Sequence, residues 1–397
     1  MSDFGIHTVA AVPGNSLDIR DQWNNGIDEA LRIGAEWIFF KEPEVEILPT
    51  AIEAARPALG VYDAVWGAMA LRGDDGSLII PKLCRFSCSD FVGACHMVLQ
   101  WWAGRSHFVR TAVADKLRFD TSKGELWFID YLVRIWQQYF CLKTQQAYVS
   151  GSGELPHTDA TDRNYLLTHL EREPQFIKFD YAGQRISLPY TGRNPTLERT
   201  QLRGVFFEQQ DLEGLIGKIS PGAVIVDVGA NTGNHSVFFD KVLKAGKIIP
   251  IEPNPVSIGF LKQTFAANEI VSIDASKLGV AVGESRQRLF LNTGRRGHLG
   301  TVSLGAEGET EVEVWPLDDL IDEPVDFLKI DVEYMEIDVL YGARNLFLRD
   351  RPMAFVEVQD ENISAFLAIL DDLSYRIECI FADLGYANYL IVPEEKS

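Results

Sequence analysis

The residues best suited to chemistry lie past the middle of the chain. In "VIVDVGANTGNHSVFF", Val224 to Phe239, Asp227 precedes a turn holding Gly229 and Gly233, and a helical pattern follows. Glycines let a backbone approach a ligand without Cβ clashes, and the first turn of a helix leaves N–H groups free for an anion. Carboxylates recur where later apolar runs end: Glu252 in "IIPIEPNP", Asp331 and Glu333 in "FLKIDVEYMEID", and Glu357 in "MAFVEVQ".

Three ligand classes compete for such a turn. A nucleoside triphosphate cradle needs a Gly-rich loop ending in Lys-Ser/Thr, which the sequence lacks. A dinucleotide fingerprint is G-x-G-x-x-G, whereas Gly229 and Gly233 are spaced G-x-x-x-G. A carboxylate at Asp227 would also repel a pyrophosphate seated on the helix N-terminus. S-adenosylmethionine carries a sulfonium and an ammonium but no phosphate, so an acid at the turn favours it. Its carboxylate can take the free N–H groups of the helix, and an acid ending the next strand can grip both ribose hydroxyls. The expected cofactor residues are Asp227, Gly229, Ala230, Asn231, Thr232, Gly233 and Asn234, with Glu252, Pro253 and Asn254.

Methyl transfer needs the acceptor atom held in line with the leaving sulfur, and a poorly nucleophilic acceptor also needs a base or a metal ion. Candidate catalytic groups are Asp331, Glu333, Glu357 and His235. Each has an ordinary alternative: Asp331 as a helix cap, Glu333 as a helix-dipole partner, Glu357 facing away from the crevice and His235 as packing. His298, in a Gly-rich stretch, reaches the substrate only if that stretch folds over as a lid. Paired acids also suit Mg²⁺, but no coordination set stands out, and metal-free base catalysis is preferred.

The elements that must position these groups follow from periodicity. "VIVDVG", "KIIPIEP", "SIDASKLGVAV", "VDFLKIDV" and "MAFVEVQ" read as strands, with helical patterns in "NHSVFFDKVLKAG", "PVSIGFLKQTFAAN" and "EYMEIDVLYGARNLFLRD". "YRIECIFADLGYANYLIV" closes the chain as two antiparallel strands, and "NTGRRGHLGTVSLGAEGETEVEVW" looks like an inserted hairpin. Residues 171–397 are therefore expected to form a doubly wound, Rossmann-like α/β sheet with an antiparallel edge, opening with a hairpin in "FIKFDYAGQRISLPY". Residues 1–150 alternate strands with helices as a smaller α/β domain, and 151–170, rich in small and polar residues at its start, read as a linker.

The C-terminal part resembles the FkbM family of S-adenosylmethionine-dependent O-methyltransferases. The resemblance rests on "DVGANTGNHSVFF", "IEPNP", "LDDL" at Leu317 to Leu320, "LKIDVEYMEIDVLYGA" and "AFVEV". It implies a methyltransferase sheet, S-adenosylmethionine and a hydroxyl acceptor. One departure concerns the family's acidic-Gly-x-acidic turn, which stands here as Glu333-Tyr334-Met335-Glu336. The first domain is similar, more faintly, to a family-2 GT-A glycosyltransferase. Glu42 and Glu44 stand where that fold carries metal-binding acids, and Asp130 where a base is expected. Little chain precedes "DIRDQWNNG", so a truncated, non-catalytic domain is expected.

Composition bounds the partners. A formal net charge of −20 disfavours a nucleic-acid backbone, and no apolar run approaches the ~20 residues that span a bilayer. A cytoplasmic protein is expected. Cys84, Cys88 and Cys95 with His96 fit no common zinc spacing, so buried thiols are expected there. The overall expectation is an O-methyltransferase acting on a carbohydrate, polysaccharide or glycosylated product. A bifunctional glycosyl- and methyltransferase and a non-catalytic S-adenosylmethionine-binding module are the alternatives.

Overall fold

The computed structural model describes residues 6–10, 18–73, 75–81, 85–100, 105–151, 158–292, 298–300, 302–308, 310–382 and 385–394. The chain divides into two compact units, Met1–Glu173 and Pro174–Ser397. Among the described residues no helix is long and apolar enough to cross a membrane.

The first unit contains strands β1 (Ile6–Ala10), β2 (Trp37–Lys41), β3 (Glu46–Ile47), β4 (Ala64–Arg72), β5 (Leu78–Ile79), β6 (His107–Arg110) and β7 (Cys141–Gly151). Its helices are α1 (Ile19–Ile33), α2 (Ala51–Leu59), α3 (Phe91–Gln100), α4 (Thr111–Lys116), α5 (Trp127–Gln138) and α6 (Ala160–Arg172). Local signals explain α1: Asp18 caps it by accepting from the Arg20 N–H, and Gly34 ends it at φ 73°. Trp23, Ile27 and Ala30 share its buried face. The sheet runs β1-β2-β6-β4-β7-β3, with β5 pairing β4. A core of Trp37, Phe39, Val65, Phe108 and Tyr148 packs between it and α2.

The linker expected over 151–170 needs correction. Residues Ala160–Arg172 form α6, capped by Asp159, and Leu166, Leu167 and Leu170 are buried. The polar opening of that stretch masked a helix whose apolar face is only three leucines wide. In the cysteine cluster, Cys84 lies outside the described residues, and Cys88 and Cys95 are free. Burial pushes the Cys88 thiol up to about 12 and that of Cys95 well above its usual value.

The second unit contains β8 (Gln175–Tyr181), β9 (Gln184–Tyr190), β10 (Val224–Val228), β11 (Lys247–Ile251), β12 (Val280–Val282), β13 (Gln287–Asn292), β14 (Ser303–Gly305), β15 (Thr310–Trp315), β16 (Phe327–Ile330), β17 (Met353–Gln359), β18 (Tyr375–Ala382) and β19 (Tyr386–Pro393). Its helices are α7 (Pro195–Gln201), α8 (Gln209–Glu213), α9 (Asn234–Lys241), α10 (Pro255–Ala267), α11 (Leu317–Leu320), α12 (Glu336–Gly342), α13 (Arg344–Asp350) and α14 (Ile363–Leu373). The main sheet runs β11-β10-β16-β17-β19-β18. Its first four strands are parallel, and β19 enters antiparallel between β17 and β18. Val226, Val228, Leu328, Ile330, Val356 and Val358 all belong to its principal core.

Two expectations about this unit fail. "SIDASKLGVAV" does not form a third core strand: Ile273 makes one parallel bridge to Ile248, while Val280–Val282 joins a separate sheet, β12-β15-β13-β14. Gly279, at φ 97°, turns the chain between the two. The long helical pattern after Glu333 is broken at Ala343, at φ −107°, into α12 and α13.

Candidate functional site

The site lies beyond the carboxyl ends of the parallel strands, where open α/β sheets bind ligands. A cavity of ≈ 470 Å³ opens there, walled by the turn after β10, the end of β11, residues after β16, the end of β17 and side chains of the smaller sheet.

The glycine turn is built tightly. Gly229 has φ +77°, and an added Cβ would lie 1.8 Å from the Asp331 carbonyl oxygen. The Gly229 and Ala230 N–H groups donate to the Ile251 carbonyl at 2.9 and 3.1 Å, strapping the turn to β11. Asn231 follows at φ 47°, a region Asn tolerates better than most residues. Gly233, at φ 95°, precedes α9.

Of the expected cofactor residues, Gly229, Ala230, Asn231, Thr232, Asn234, Glu252 and Pro253 line the cavity. Asp227, Gly233 and Asn254 do not: Gly233 shapes the turn, and Asn254 caps α10 by accepting from the Val256 N–H at 3.0 Å. Asp227 requires the larger correction, because it is fully buried beneath the turn. The Ser236 hydroxyl donates to it at 2.5 Å, and the Lys329 ammonium lies 3.6 Å away. Strand register explains the pair, since Asp227 on β10 stands opposite Lys329 on β16. The charge of Asp227 is thus countered before it reaches the cavity, and its structural place is that of a support for the turn.

Lys329 is a site residue the sequence reading missed. Its ammonium donates to the Gly229 carbonyl at 3.0 Å and pairs with Asp331 at 3.0 Å. A lysine inside the otherwise apolar run "FLKI" was the available signal, because a buried ammonium demands an anionic partner.

Glu252 is the carboxylate that faces the cavity on the β11 side. The backbone N–H groups of Asn231 and Asn254 donate to its two oxygens at 2.9 and 2.8 Å. Burial outweighs these bonds and pushes its carboxyl up to about 7.

Asp331, Glu333, Glu357 and His235 all line the same cavity. Asp331 does not cap α12, whose N-cap position is Met335. Glu357 faces the crevice while Val356 and Val358 enter the core, as strand alternation requires. The His235 Nε2 lies 3.1 Å from Glu208, another residue missed in the sequence, which sits at φ 57° before α8. Burial, then repulsion from Asp331, pushes Glu333 up to about 7. Burial raises Glu357 to about 9, helped by Asp331, Glu208 and Glu333. His298, Leu299, Val302 and Leu304 also reach the wall; residues 293–297 of that stretch lie outside the described residues.

The acids singled out in the first unit differ. Glu42 accepts the Arg105 N–H at 3.2 Å, and burial raises its carboxyl despite that cation. Glu44 is exposed. Asp130, expected as a base, pairs with Arg134 at 2.8 Å and Lys123 at 3.4 Å and accepts the Tyr165 hydroxyl at 3.1 Å. These bonds hold the fold and leave no free base. Among the described residues no three His, Cys, Asp or Glu side chains converge to hold a metal ion.

A parallel sheet with one antiparallel strand between its last parallel and its edge strand, over a Gly turn and a strand-end acid, defines a Rossmann-like methyltransferase fold. Residues 227–377 match the methyltransferase FkbM domain, and the C-terminal part of the chain is accordingly an FkbM-family methyltransferase domain. Such a domain implies S-adenosylmethionine as methyl donor. The chain is similar to the methyltransferase sdnD of Sordaria araneosa, 26% identical over 163 residues, covering 32% of this chain and 63% of that protein. It is also similar to the methyltransferase FkbM structure from Methylobacillus flagellatus, at 20% identity and TM-score 0.34 over 44% of this chain and 45% of that one. A ribosomal protein L11 methylase from Lactobacillus delbrueckii subsp. bulgaricus aligns at 13% identity and TM-score 0.32, over 47% and 76%. The chain spans less than two thirds of the curated relative and of the FkbM structure.

Proposed function

We propose that this chain is an S-adenosylmethionine-dependent O-methyltransferase acting on a hydroxyl of a carbohydrate or glycosylated product. The observation that carries the reading is Glu252, a buried strand-end carboxylate open to the cavity beside a turn that admits no side chain at Gly229. A carboxylate there accepts two hydroxyl donors of a ribose, and the first N–H groups of α9 receive a carboxylate. When bound, S-adenosylmethionine supplies a methyl group on a positively charged sulfur.

Gly229, Ala230, Asn231, Thr232, Asn234, Glu252 and Pro253 would hold the donor, with Asp227, Gly233 and Asn254 shaping the loops behind them. Asp331 accepts the proton of the acceptor hydroxyl as its oxygen takes the methyl group. Lys329 fixes the orientation of Asp331 from behind. His235 with Glu208, and Glu333 with Glu357, orient the acceptor through hydrogen bonds. The glycan assignment rests on the likeness of the first unit's sequence to a glycosyltransferase of the GT-A type, with that unit as a docking domain.

Calorimetric titration with S-adenosylhomocysteine tests the donor site. Glu252→Ala should weaken binding roughly ten- to a hundredfold, the worth of charge-assisted hydrogen bonds of about 1.5–3 kcal/mol. Displacement of the nucleoside by NAD or ATP would sink the assignment. Transfer of labelled methyl groups to a glycan panel then tests the acceptor.

A further inference from the structure

Tyr334 occupies a backbone position hostile to its side chain. Its φ is +68°, in a left-handed region that disfavours any residue with a Cβ. Its own N–H donates to Glu336 at 3.1 Å and closes the turn. The ring adds nothing to the core that would offset the strain: it is 62% exposed and stands on the wall of the cavity. A large aromatic side chain is thus held open at the side of the cavity bounded by the ends of β16 and β17.

The wall around it is charged in one sense. Glu208, Glu252, Asp331, Glu333 and Glu357 line the cavity, and no Lys or Arg does so among the described residues. Lys329 is buried behind the turn and engaged by Asp227 and Asp331. Glu252 falls on the donor side, whereas Asp331 and Glu333 follow β16 and Glu357 lies near the end of β17. Burial, then repulsion from neighbouring acids, raises the Glu333 and Glu357 carboxyls, and a cation arriving beside them favours their ionised forms.

Resting on the methyl-transfer reading above, we propose that Tyr334, with Asp331, Glu333 and Glu357, selects a methyl acceptor that carries a protonated amine beside its hydroxyls. The ring face attracts an ammonium or the sugar C–H face beside it, and the carboxylates accept its N–H donors. An anionic acceptor finds no Lys or Arg among the described wall residues to pair with, and repels each of these acids that is ionised. Glycine, the residue the FkbM pattern carries here, offers the same turn without strain and without this surface.

The test uses the full chain and three phenyl β-D-glycosides differing in one substituent: the glucosaminide, the glucoside and the glucuronide. S-adenosylhomocysteine is titrated first. Failure of that step would strike the donor site itself, before any glycoside is added. With the protein saturated, the glucosaminide should bind about five- to thirtyfold more tightly than the glucoside, as a cation over an aromatic face gives about 1–2 kcal/mol. The glucuronide should give no measurable heat. Tyr334→Gly should lose the glucosaminide advantage and keep wild-type nucleoside affinity, which also reports its folding; Tyr334→Phe should retain both. The proposal is overturned if the glucuronide binds as well as the glucosaminide, if the glucosaminide binds no better than the glucoside, if none of the three binds, or if Tyr334→Gly leaves the ranking intact.

Discussion

Asp130 in the first unit and Glu357 in the second are both carboxylates largely removed from water, and they are treated in opposite ways. Asp130 meets Arg134, Lys123 and the Tyr165 hydroxyl. Glu357 accepts one neutral hydrogen bond, from Gln359 at 3.3 Å, and otherwise feels Asp331, Glu208, Glu333 and Glu336. A buried acid surrounded by donors and cations is a tie between elements. One left among its own kind on a cavity wall is costly to the fold, and perturbed groups of that sort cluster at functional sites. Asp331 stands between the two cases, facing the cavity with one cation behind it.

The sharpest way to break the comparison is to remove the charge of Asp331 while keeping its shape. Asp331→Asn should lower the rate of methyl transfer by roughly a hundred- to ten-thousandfold, the range for loss of a positioned base. Its S-adenosylhomocysteine affinity by calorimetry should stay near wild type. A rate within tenfold of wild type would make Asp331 a structural partner of Lys329, of the same kind as Asp130.

Lys329→Met attacks the cation that separates the acids. It leaves Asp227 and Asp331 without their buried counter-charge, and removal of one partner from such a group costs about 3–5 kcal/mol. Chemical denaturation should show that loss, together with weaker nucleoside binding as the Gly229 carbonyl loses its donor. Unchanged stability would mean that the ammonium only balances its own desolvation.

How much of this was legible in the sequence differs by region for a physical reason. The turn at Gly229, Glu252, the acids after β16 and Glu357 near the end of β17 follow from local rules: apolar runs end, glycine permits positive φ, and alternate strand residues change face. Lys329 and Glu208 become site residues only through register and a distant left-handed turn, which single-sequence periodicity does not encode. Asp227 was recognised as important but misplaced, because its role depends on the Lys329 opposite it. The expected third strand failed for the converse reason. "SIDASKLGVAV" has strand composition, yet Gly279 diverts its second half into another sheet. The helix α6 was hidden behind polar residues typical of a loop.

Asp130→Asn probes the other side of the comparison. The change leaves Arg134 and Lys123 facing a neutral amide, and charged hydrogen bonds are worth about 1.5–3 kcal/mol, less where Lys123 is screened by solvent. The first unit should unfold at lower denaturant concentration, with S-adenosylhomocysteine affinity unchanged. A loss of nucleoside affinity in a folded variant would refute the division of labour between these acids.

The smallest effect comes from Glu357→Gln, and its sign is the informative part. The folded protein holds the Glu357 carboxyl at about 9, above the value of about 4.3 in an unfolded chain. The native state therefore binds more protons than the unfolded one across that window, and stability falls as pH rises through it. Glu333 and Glu252, each at about 7, add to the same slope. Replacing Glu357 with a neutral isostere should flatten the slope and raise the melting temperature at pH 8, while changing little below pH 4. A gain of about 1 kcal/mol corresponds to roughly 2–4 °C for a unit of this size. Thermal scans between pH 5 and 9 on both proteins read it directly. A variant less stable than wild type at pH 8 would mean that Glu357 is ionised and satisfied, and that it resembles Asp130 after all.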